Sequence, residues 1–345
     1  MVPPQKTALA SKPLTSAQER AVESIARGRR FVLSGHMRPD GDCIGAQAAL
    51  ALGLESLGKE VWILNPDPPE PQFDYLTRRC TYRSWKGGDL PAHDVSILLD
   101  AAELERCGEL GEALRAAKSR KLVIDHHVHE GAEWWDEAFV DVTASATGLL
   151  VWRVLGALGV EPNRGIAEGV FTSIVTDTGW FKYSNSDAET LAVAAELVAF
   201  GVEPHTLYSA IFQRHGSQHP AGVARALSSL EYFGDGRLAV VTIPPPGPGE
   251  VDLHDGDVVL DLLRSVERVE VVLLLRTTKD GKSKLSARSK TEFDVNRLAG
   301  RFGGGGHVRA AGATLAMSLA DAKAALVASA LEDLAGADRS RAAGG

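Results

Sequence analysis

The aspartates and histidines able to do chemistry in this chain fall at a few places, each after a short apolar run. Residues 31–33 lead into Ser-Gly-His36-Met-Arg-Pro-Asp40-Gly-Asp42, residues 95–99 end on Asp100, and residues 122–124 end on Asp125-His126-His127. A fourth stretch, SIVTDTG, sets Asp177 after an apolar helical run. If the first three runs are strands of one open parallel sheet, their carboxyl ends share the edge where such sheets bind ligands. Taken singly, each aspartate reads as a helix cap, and a lone histidine pair as an ordinary surface or core feature. Taken together, Asp40, Asp42, Asp100, Asp125 and Asp177 on one edge would repel strongly without cations among them. Carboxylates with a little imidazole and no thiolate motif favour Mn²⁺ or Mg²⁺ over structural zinc. The ligands suffice for two ions, and two ions roughly 3.5 to 4 Å apart are a general device for phosphoryl hydrolysis.

These groups need an alternation of strands and helices to hold them. Apolar runs at 31–33, 61–64, 95–99, 122–124 and 139–140 are separated by helical stretches such as 44–57 and 109–117, the pattern of a parallel sheet with helical crossovers. Helices then dominate from Ala146 to Leu230. One opens near Thr147, one covers 166–175, and one follows Ser186-Asp187, a good N-cap pair. A second unit begins around Glu231, with strand-like 238–243, a Pro/Gly turn at 244–249, a helix near 258–265 and strands at 269–277 and 284–289. It ends on a helix near 295–301, a glycine run and a helix over 319–334. The residues before Thr15 and after Ala335 read as frayed.

A length of 345 residues suggests two domains, and 44% hydrophobic with 24% charged residues excludes disorder over most of the chain. No stretch approaches the roughly 18 to 20 consecutive apolar residues of a membrane span, and the N-terminus lacks a signal-peptide core, so a cytoplasmic protein without a membrane partner is expected. Cys43, Cys80 and Cys107 form neither a disulfide framework nor a zinc pattern. The net charge of −8 argues against coating long nucleic acid. From Arg276 to Arg309, however, nine basic residues stand against three acidic ones, a local +6 that leaves −14 on the remainder. Such a segment suits an anion, and equally a solvated helix and hairpin surface.

Five motifs stand in order: His36-x3-Asp40-Gly-Asp42, Asp100 after an apolar strand, Asp125-His126-His127, Thr176-Asp177-Thr178-Gly179 and Gly303-Gly304-Gly305-Gly306-His307. Around them run the phrases TASATG, DTGWFKYSN and RSKTEFDVNRLAGRFGGGGHVRAAG. On these motifs the chain resembles the DHH phosphoesterase family with its C-terminal DHH-associated domain. Within that family it is most similar to the short branch of nanoRNases that also dephosphorylate 3'-phosphoadenosine 5'-phosphate, the NrnA type. The resemblance implies an α/β fold in which a parallel-sheet DHH catalytic domain occupies 15–205 and a helical linker 206–230. A smaller α/β, mixed-sheet substrate-binding domain follows at 231–335, with a cleft between the two domains.

The resemblance further implies two Mn²⁺ ions, with Mg²⁺ as the alternative. His36 and Asp40 hold one ion, Asp42, His126 and Asp177 hold the other, and Asp100 bridges both. His127 faces the phosphate as an electrostatic or acid partner, while Asp125 orients the neighbouring imidazole. Arg288 and Ser289 join Gly304, Gly305, Gly306, His307 and Arg309 in gripping the rest of the substrate.

The glycine run cannot be a helix interior and lacks the Lys-Ser/Thr of a P-loop. Lying between a helix and an apolar strand and followed by His307 and Arg309, it fits close approach of a phosphate or ribose better than a surface linker. Cys43 stands where the family commonly has a small aliphatic residue; a buried filler is the expected reading and an oxidation-sensitive thiol the other. For His129, Trp134 and Trp135, packing under a loop outweighs lining the cleft.

The expectation is a metal-dependent phosphohydrolase that removes mononucleotides from short RNA oligomers and converts 3'-phosphoadenosine 5'-phosphate to AMP. Its partners are short RNA oligonucleotides and small nucleotides rather than long duplexes, and a homodimer is compatible with the sequence. Hydrolysis of cyclic dinucleotides, or of linear ones such as pApA and pGpG, is the alternative. A RecJ-like single-strand exonuclease would need an extra nucleic-acid-binding domain. A pyrophosphatase would lack the RSK and GGGGH grip, and a regulatory module with a decayed site would have lost ligands.

Overall fold

A computed structural model describes residues 12–129, 131–247, 256–278 and 280–343. The chain forms two compact units that divide between Arg214 and His215, within the stretch expected as a linker.

In the first unit, strands β1 (Arg30–Ser34), β2 (Glu60–Asn65), β3 (Tyr82–Ser84), β4 (Val95–Leu99), β5 (Arg120–Asp125) and β6 (Glu137–Val140) build one sheet. Its order is β3-β2-β1-β4-β5-β6, and every pair is parallel. Strand order reverses between β1 and β4, so the carboxyl ends of β1, β4 and β5 lie side by side at the switch point. All five residues of β4 are buried, because helices cover both faces, and the strand therefore reads as an unbroken apolar run. β3 is a short edge strand with no clear apolar signature.

The helices of this unit are α1 (Ser16–Arg27), α2 (Gly41–Ser56), α3 (Asp74–Thr77), α4 (Glu109–Ala116), α5 (Thr147–Ala157), α6 (Arg164–Asp177), α7 (Ala188–Ala199) and α8 (Pro204–Phe212). Thr15 and Gln18 form a reciprocal capping box at the start of α1, and Asp187 caps α7, as its sequence suggests. The largest core packs the sheet against α2, α5 and α6. There α2 and α6 cross backbone to backbone: a Cβ on Gly169 would lie 2.8 Å from the Gly45 carbonyl, and one on Gly45 would collide with the Gly169 carbonyl. This glycine crossing lets Asp42, at the start of α2, approach residues near the end of α6.

The second unit holds α9 (His219–Leu227), β7 (Glu231–Phe233), β8 (Leu238–Ile243), α10 (Asp257–Arg264), β9 (Val271–Thr277), β10 (Ser283–Ser289), α11 (Val295–Gly300), β11 (Gly305–His307), β12 (Ala310–Leu315) and α12 (Leu319–Ala343). Its sheet runs β11-β12-β10-β9-β8-β7 and is mixed: β8 and β9 are parallel and the other pairs antiparallel. The glycine run supplies an edge strand rather than a loop. A Cβ on Gly304 would collide with the Gly312 carbonyl, and one on Gly306 would lie 2.5 Å from the Ala310 carbonyl, so this close pairing needs glycine. The C-terminal helix passes the expected frayed end after Ala335 and continues to Ala343, because the alanine- and arginine-rich segment after Leu334 favours helix. The first 11 residues of the expected N-terminal fraying, residues 248–249 of the Pro/Gly turn, and Lys279 of the basic segment lie outside the described residues. Among the described residues no helix is long and apolar enough to cross a membrane.

Candidate metal centre

The chain leaves β1 through Gly35 to His36. The ring Nδ1 lies 2.9 Å from the Met37 carbonyl, and a carbonyl only accepts, so Nδ1 carries the proton. Nε2 is then a buried lone pair, without a hydrogen-bond partner among the described residues, 3.3 Å from Asp100 Oδ2. His126, just past β5, repeats the arrangement. Its Nδ1 donates to the Ala144 carbonyl at 3.1 Å, and its buried Nε2 has no hydrogen-bond partner among the described residues. That Nε2 lies 3.5 Å from Asp42 Oδ2, 3.8 Å from Asp100 Oδ1 and 3.7 Å from Asp177 Oδ2. Two imidazole lone pairs aimed at carboxylate oxygens repel unless a cation or protons stand between them. The residues present therefore fit a divalent metal ion.

Among the described residues, three groups have ligand atoms close enough to hold an ion: His36, Cys43 and Asp100; Asp100, His126 and His127; and Asp42, His126 and Asp177. Asp100 belongs to two of them. It follows β4 with a left-handed backbone (φ 61°), a costly conformation for a residue with a Cβ and one that concentrates at functional sites. Thr147 Oγ–H donates to its Oδ1 at 3.1 Å. Asp42 is held by the start of α5: it accepts from the N–H of Thr147 at 2.8 Å, from that of Gly148 at 3.2 Å, and from Ser173 Oγ–H of α6. Asn185 donates to Asp177 Oδ2 at 3.4 Å and to the carbonyl of Ser145 at 3.1 Å. Thr147, Gly148, Ser173 and Asn185 were not singled out by sequence reasoning, although Thr147, Gly148 and Asn185 lie in the TASATG and DTGWFKYSN phrases.

Asp40 behaves differently. One of its oxygens caps α2 by accepting from the N–H groups of Asp42 and Cys43, its side chain is 63% exposed, and the nearest His36 nitrogen is 3.9 Å away. The cap reading open to every aspartate in the sequence is realised here, and Asp40 is in none of the three groups. Asp125 receives His127 Nδ1–H at 2.7 Å, together with the backbone N–H groups of His126 and His127. The imidazole it orients is thus the second of the pair.

Electrostatics follow the crowding. Burial, and then the charges of Asp42, Asp40, Asp125 and Asp177, hold Asp100 well above the usual carboxylate range. Burial and then Asp42 and Asp40 push Asp177 up to about 8. Burial acts upward on Asp125 too, but the hydrogen bonds and charge of His127 hold it below its ordinary value. The Cys43 thiol, fully buried, is pushed well up by that burial and then by Asp100, Asp40 and Asp42, which disfavours the oxidation-prone thiolate. Trp134 donates to the Ala102 carbonyl at 2.7 Å and packs with Trp135 against the buried cluster that includes Val32, Leu64 and Leu98, while His129 meets Glu103 at 3.0 Å. These contacts tie the loop after Asp100 to the loop after His127.

In the second unit, register pairs Arg288 with Ala310 and Ala310 with His307, so the three lie in one row across β10, β12 and β11 and face the same side of the sheet. The Ser289 N–H donates to the Arg309 carbonyl at 3.0 Å, and its buried Oγ has no hydrogen-bond partner among the described residues. The structure thus gathers Arg288, Ser289, Gly305, Gly306, His307 and Arg309 at one end of three strands, with Gly304 just before β11. The basic segment is less available than its charge suggests. Lys282, Arg288, Arg297 and Arg301 are in ion pairs with Asp280, Asp257 and Asp333, the last shared by the two arginines of α11 and its end.

The N-terminal domain of the DHH family matches residues 30–174, and the DHHA1 domain matches residues 236–336. A Thermus thermophilus protein named bifunctional oligoribonuclease and PAP phosphatase NrnA is 34% identical over 285 residues, covering 82% of this chain and 83% of its own. A Bacillus subtilis protein of the same name is 23% identical over 85% of this chain and 92% of its own. Among solved structures, an exopolyphosphatase-related protein from Bacteroides fragilis superposes with a TM-score of 0.80 at 24% identity, over 92% of this chain and 98% of its own. RecJ from Thermus thermophilus in complex with Mn²⁺ does so with a TM-score of 0.54 at 18% identity, over 94% of this chain and 56% of its own.

Proposed function

The chain belongs to the DHH phosphoesterase family, and from that premise we propose that it is a metal-dependent phosphohydrolase acting on very short nucleic acids. Its substrates in this reading are RNA oligonucleotides a few residues long, cut to mononucleotides, and 3'-phosphoadenosine 5'-phosphate, converted to AMP in the cytoplasm. The observation that carries it is the pair of buried imidazole nitrogens, on His36 and His126, aimed at Asp42, Asp100 and Asp177. The names of the curated relatives support the substrate class.

His36 would hold one ion together with the Asp40 oxygen not engaged in the α2 cap, Asp42, His126 and Asp177 would hold the other, and Asp100 would serve both; Mn²⁺ is the favoured ion and Mg²⁺ the alternative. Two such ions supply an activated water and neutralise charge developing on the phosphoryl oxygens. The protein's own part is to orient. Asp125 fixes the proton of His127 on Nδ1, so that Nε2 is the atom presented to the phosphate or leaving oxygen. The amides of Thr147 and Gly148 and the Ser173 hydroxyl hold Asp42 in one rotamer, and the Thr147 hydroxyl holds Asp100. We assign the grip on the rest of the nucleotide to the second unit, through Arg288, Ser289, Gly304, Gly305, Gly306, His307 and Arg309. The same reading takes 15–205 as the catalytic domain, 206–230 as a linker and 231–335 as the substrate-binding domain.

A panel of 3'-phosphoadenosine 5'-phosphate, pGpG, cyclic dinucleotides, di- to pentaribonucleotides and longer strands, assayed with Mn²⁺ and with Mg²⁺, tests the reading. Highest kcat/KM on the shortest RNAs and release of phosphate from the bisphosphate are expected. Preference for cyclic dinucleotides or for long single strands would replace it.

A further inference from the structure

One side chain beside the centre has no part in that hydrolysis. Cys43, the third residue of α2, is completely buried, and a Cβ on Gly35 would collide with its sulfur, so the sulfur sits over the bare backbone one residue before His36. Ligand atoms of Cys43, His36 and Asp100 all lie within 4.8 Å of one another. His36 is only 7% exposed, and its Nε2, without a hydrogen-bond partner among the described residues, faces Asp100 Oδ2 at 3.3 Å. The thiol is thus accompanied by a second, independently unsatisfied donor.

Hard ions such as Mn²⁺ and Mg²⁺ take oxygen and leave a neighbouring sulfur alone, whereas zinc-class ions take thiolate, imidazole and carboxylate together in four-coordinate sites. We propose that Cys43 gives this half of the centre a second binding mode, in which Zn²⁺ or Cd²⁺ is held by Cys43, His36 and Asp100 and excludes the ion that supports hydrolysis. The inference rests on the metal-centre reading and adds an inhibitory ion class to it. As the metal–sulfur bond forms, the thiol proton passes to solvent; nothing is oxidised or reduced. Burial favours a small coordination number, because few waters can complete the shell of a larger one.

Full-length protein, stripped with chelator and dialysed, is titrated with Cd²⁺ and with Co²⁺. A sulfur-to-metal charge-transfer band in the near ultraviolet is expected in the native protein and is lost in both Cys43→Ser and Cys43→Ala, while Mn²⁺ still binds to each by electron paramagnetic resonance. Cys80 and Cys107 remain in both variants, so loss of the band assigns it. Inhibition of the Mn²⁺-loaded enzyme by Zn²⁺ should weaken by about tenfold or more in Cys43→Ala. Mn²⁺ binding to native protein with no band on Cd²⁺ saturation, or a band that survives in Cys43→Ala, overturns the thiol mode alone. Failure of native protein to bind Mn²⁺ at all would overturn the metal centre and the thiol mode with it.

Discussion

Asp42, the second residue of α2, accepts a hydrogen bond from the backbone N–H of Thr147, the first residue of α5, at 2.8 Å. Ala146 precedes α5 with no side chain able to cap it, so a carboxylate 105 residues away in sequence takes that place. The positive end of α5 offsets part of the charge that Asp42 brings to a crowded edge. Ser173 completes the arrangement by donating to Asp42 while accepting from the Gly148 N–H at 2.7 Å.

Ser173→Ala should therefore be felt twice. Removing a buried hydroxyl that serves two partners is expected to lower stability by about 1 to 3 kcal/mol. Loosening Asp42 is expected to weaken Mn²⁺ binding by about 10- to 100-fold. Denaturant midpoints and calorimetric titration read the two effects separately, and unchanged Mn²⁺ affinity would show that this bond serves packing alone.

Asp100→Asn should be the most damaging single change at the centre: Asp100 and His126 each belong to two of the three candidate ligand groups, and Asp100 is the carboxylate proposed to serve both ions. Losing the carboxylate also relieves repulsion among the aspartates, so the chelated variant should fold at least as stably as the chelated native protein. Circular dichroism and steady-state kinetics check both halves. Near-normal hydrolysis by the folded variant would remove Asp100 from the mechanism.

Arg309→Ala and His307→Ala should lower kcat/KM for dinucleotides much more than for bis(p-nitrophenyl) phosphate, which presents little to grip. Binding energy from the unreacting part of a substrate is what such residues contribute. Equal losses on both esters would instead move them into the chemistry.

Substrate length should matter in one direction. Long single strands are followed by grooves with several basic residues and aromatic stacking platforms. In the basic segment Phe293 is buried and Phe302 packs against the core of the second unit, leaving neither as a platform. Efficiency is expected to stop rising at two or three residues and to fall several-fold by about twenty. A kcat/KM that climbs steadily with length would favour a RecJ-like activity.

Acidity should control metal loading. Burial and then Asp42 and Asp40 push Asp177 up to about 8, so below that pH the chelated protein keeps a proton where the proposed ion would bind. Apparent Mn²⁺ affinity should fall as pH is lowered, by about tenfold per unit for each proton displaced. For stability the sign is opposite. With a folded-state value raised above the unfolded one, Asp177's contribution to the stability of the chelated protein is fully present below the ordinary carboxylate range and is lost as pH rises toward 8. Bound Mn²⁺ should abolish the loss, so melting temperatures of chelated and loaded protein should diverge with rising pH; parallel curves would place the titration elsewhere.

Much of this is legible in the amino-acid sequence. The parallel sheet could be read because its buried strands are unbroken apolar runs, and Asp100 and Asp125-His126-His127 because each group follows such a run. Local pattern also located the Asp187 cap. It could not assign partners. That Asp42 caps α5, that Asp125 holds the imidazole of His127 rather than that of His126, and that Asp40 is an exposed cap are matters of rotamer and of approach between distant segments. The glycine run carries no strand signal, because glycine has low strand propensity, and only its pairing with β12, with no room for a Cβ on Gly306, makes Gly305–His307 a strand. Residue types and their order along the chain determined which groups reach the sheet edge. Which of them face one another was decided by tertiary structure, because hydrogen bonds between residues 105 and 131 positions apart leave no periodicity in the sequence.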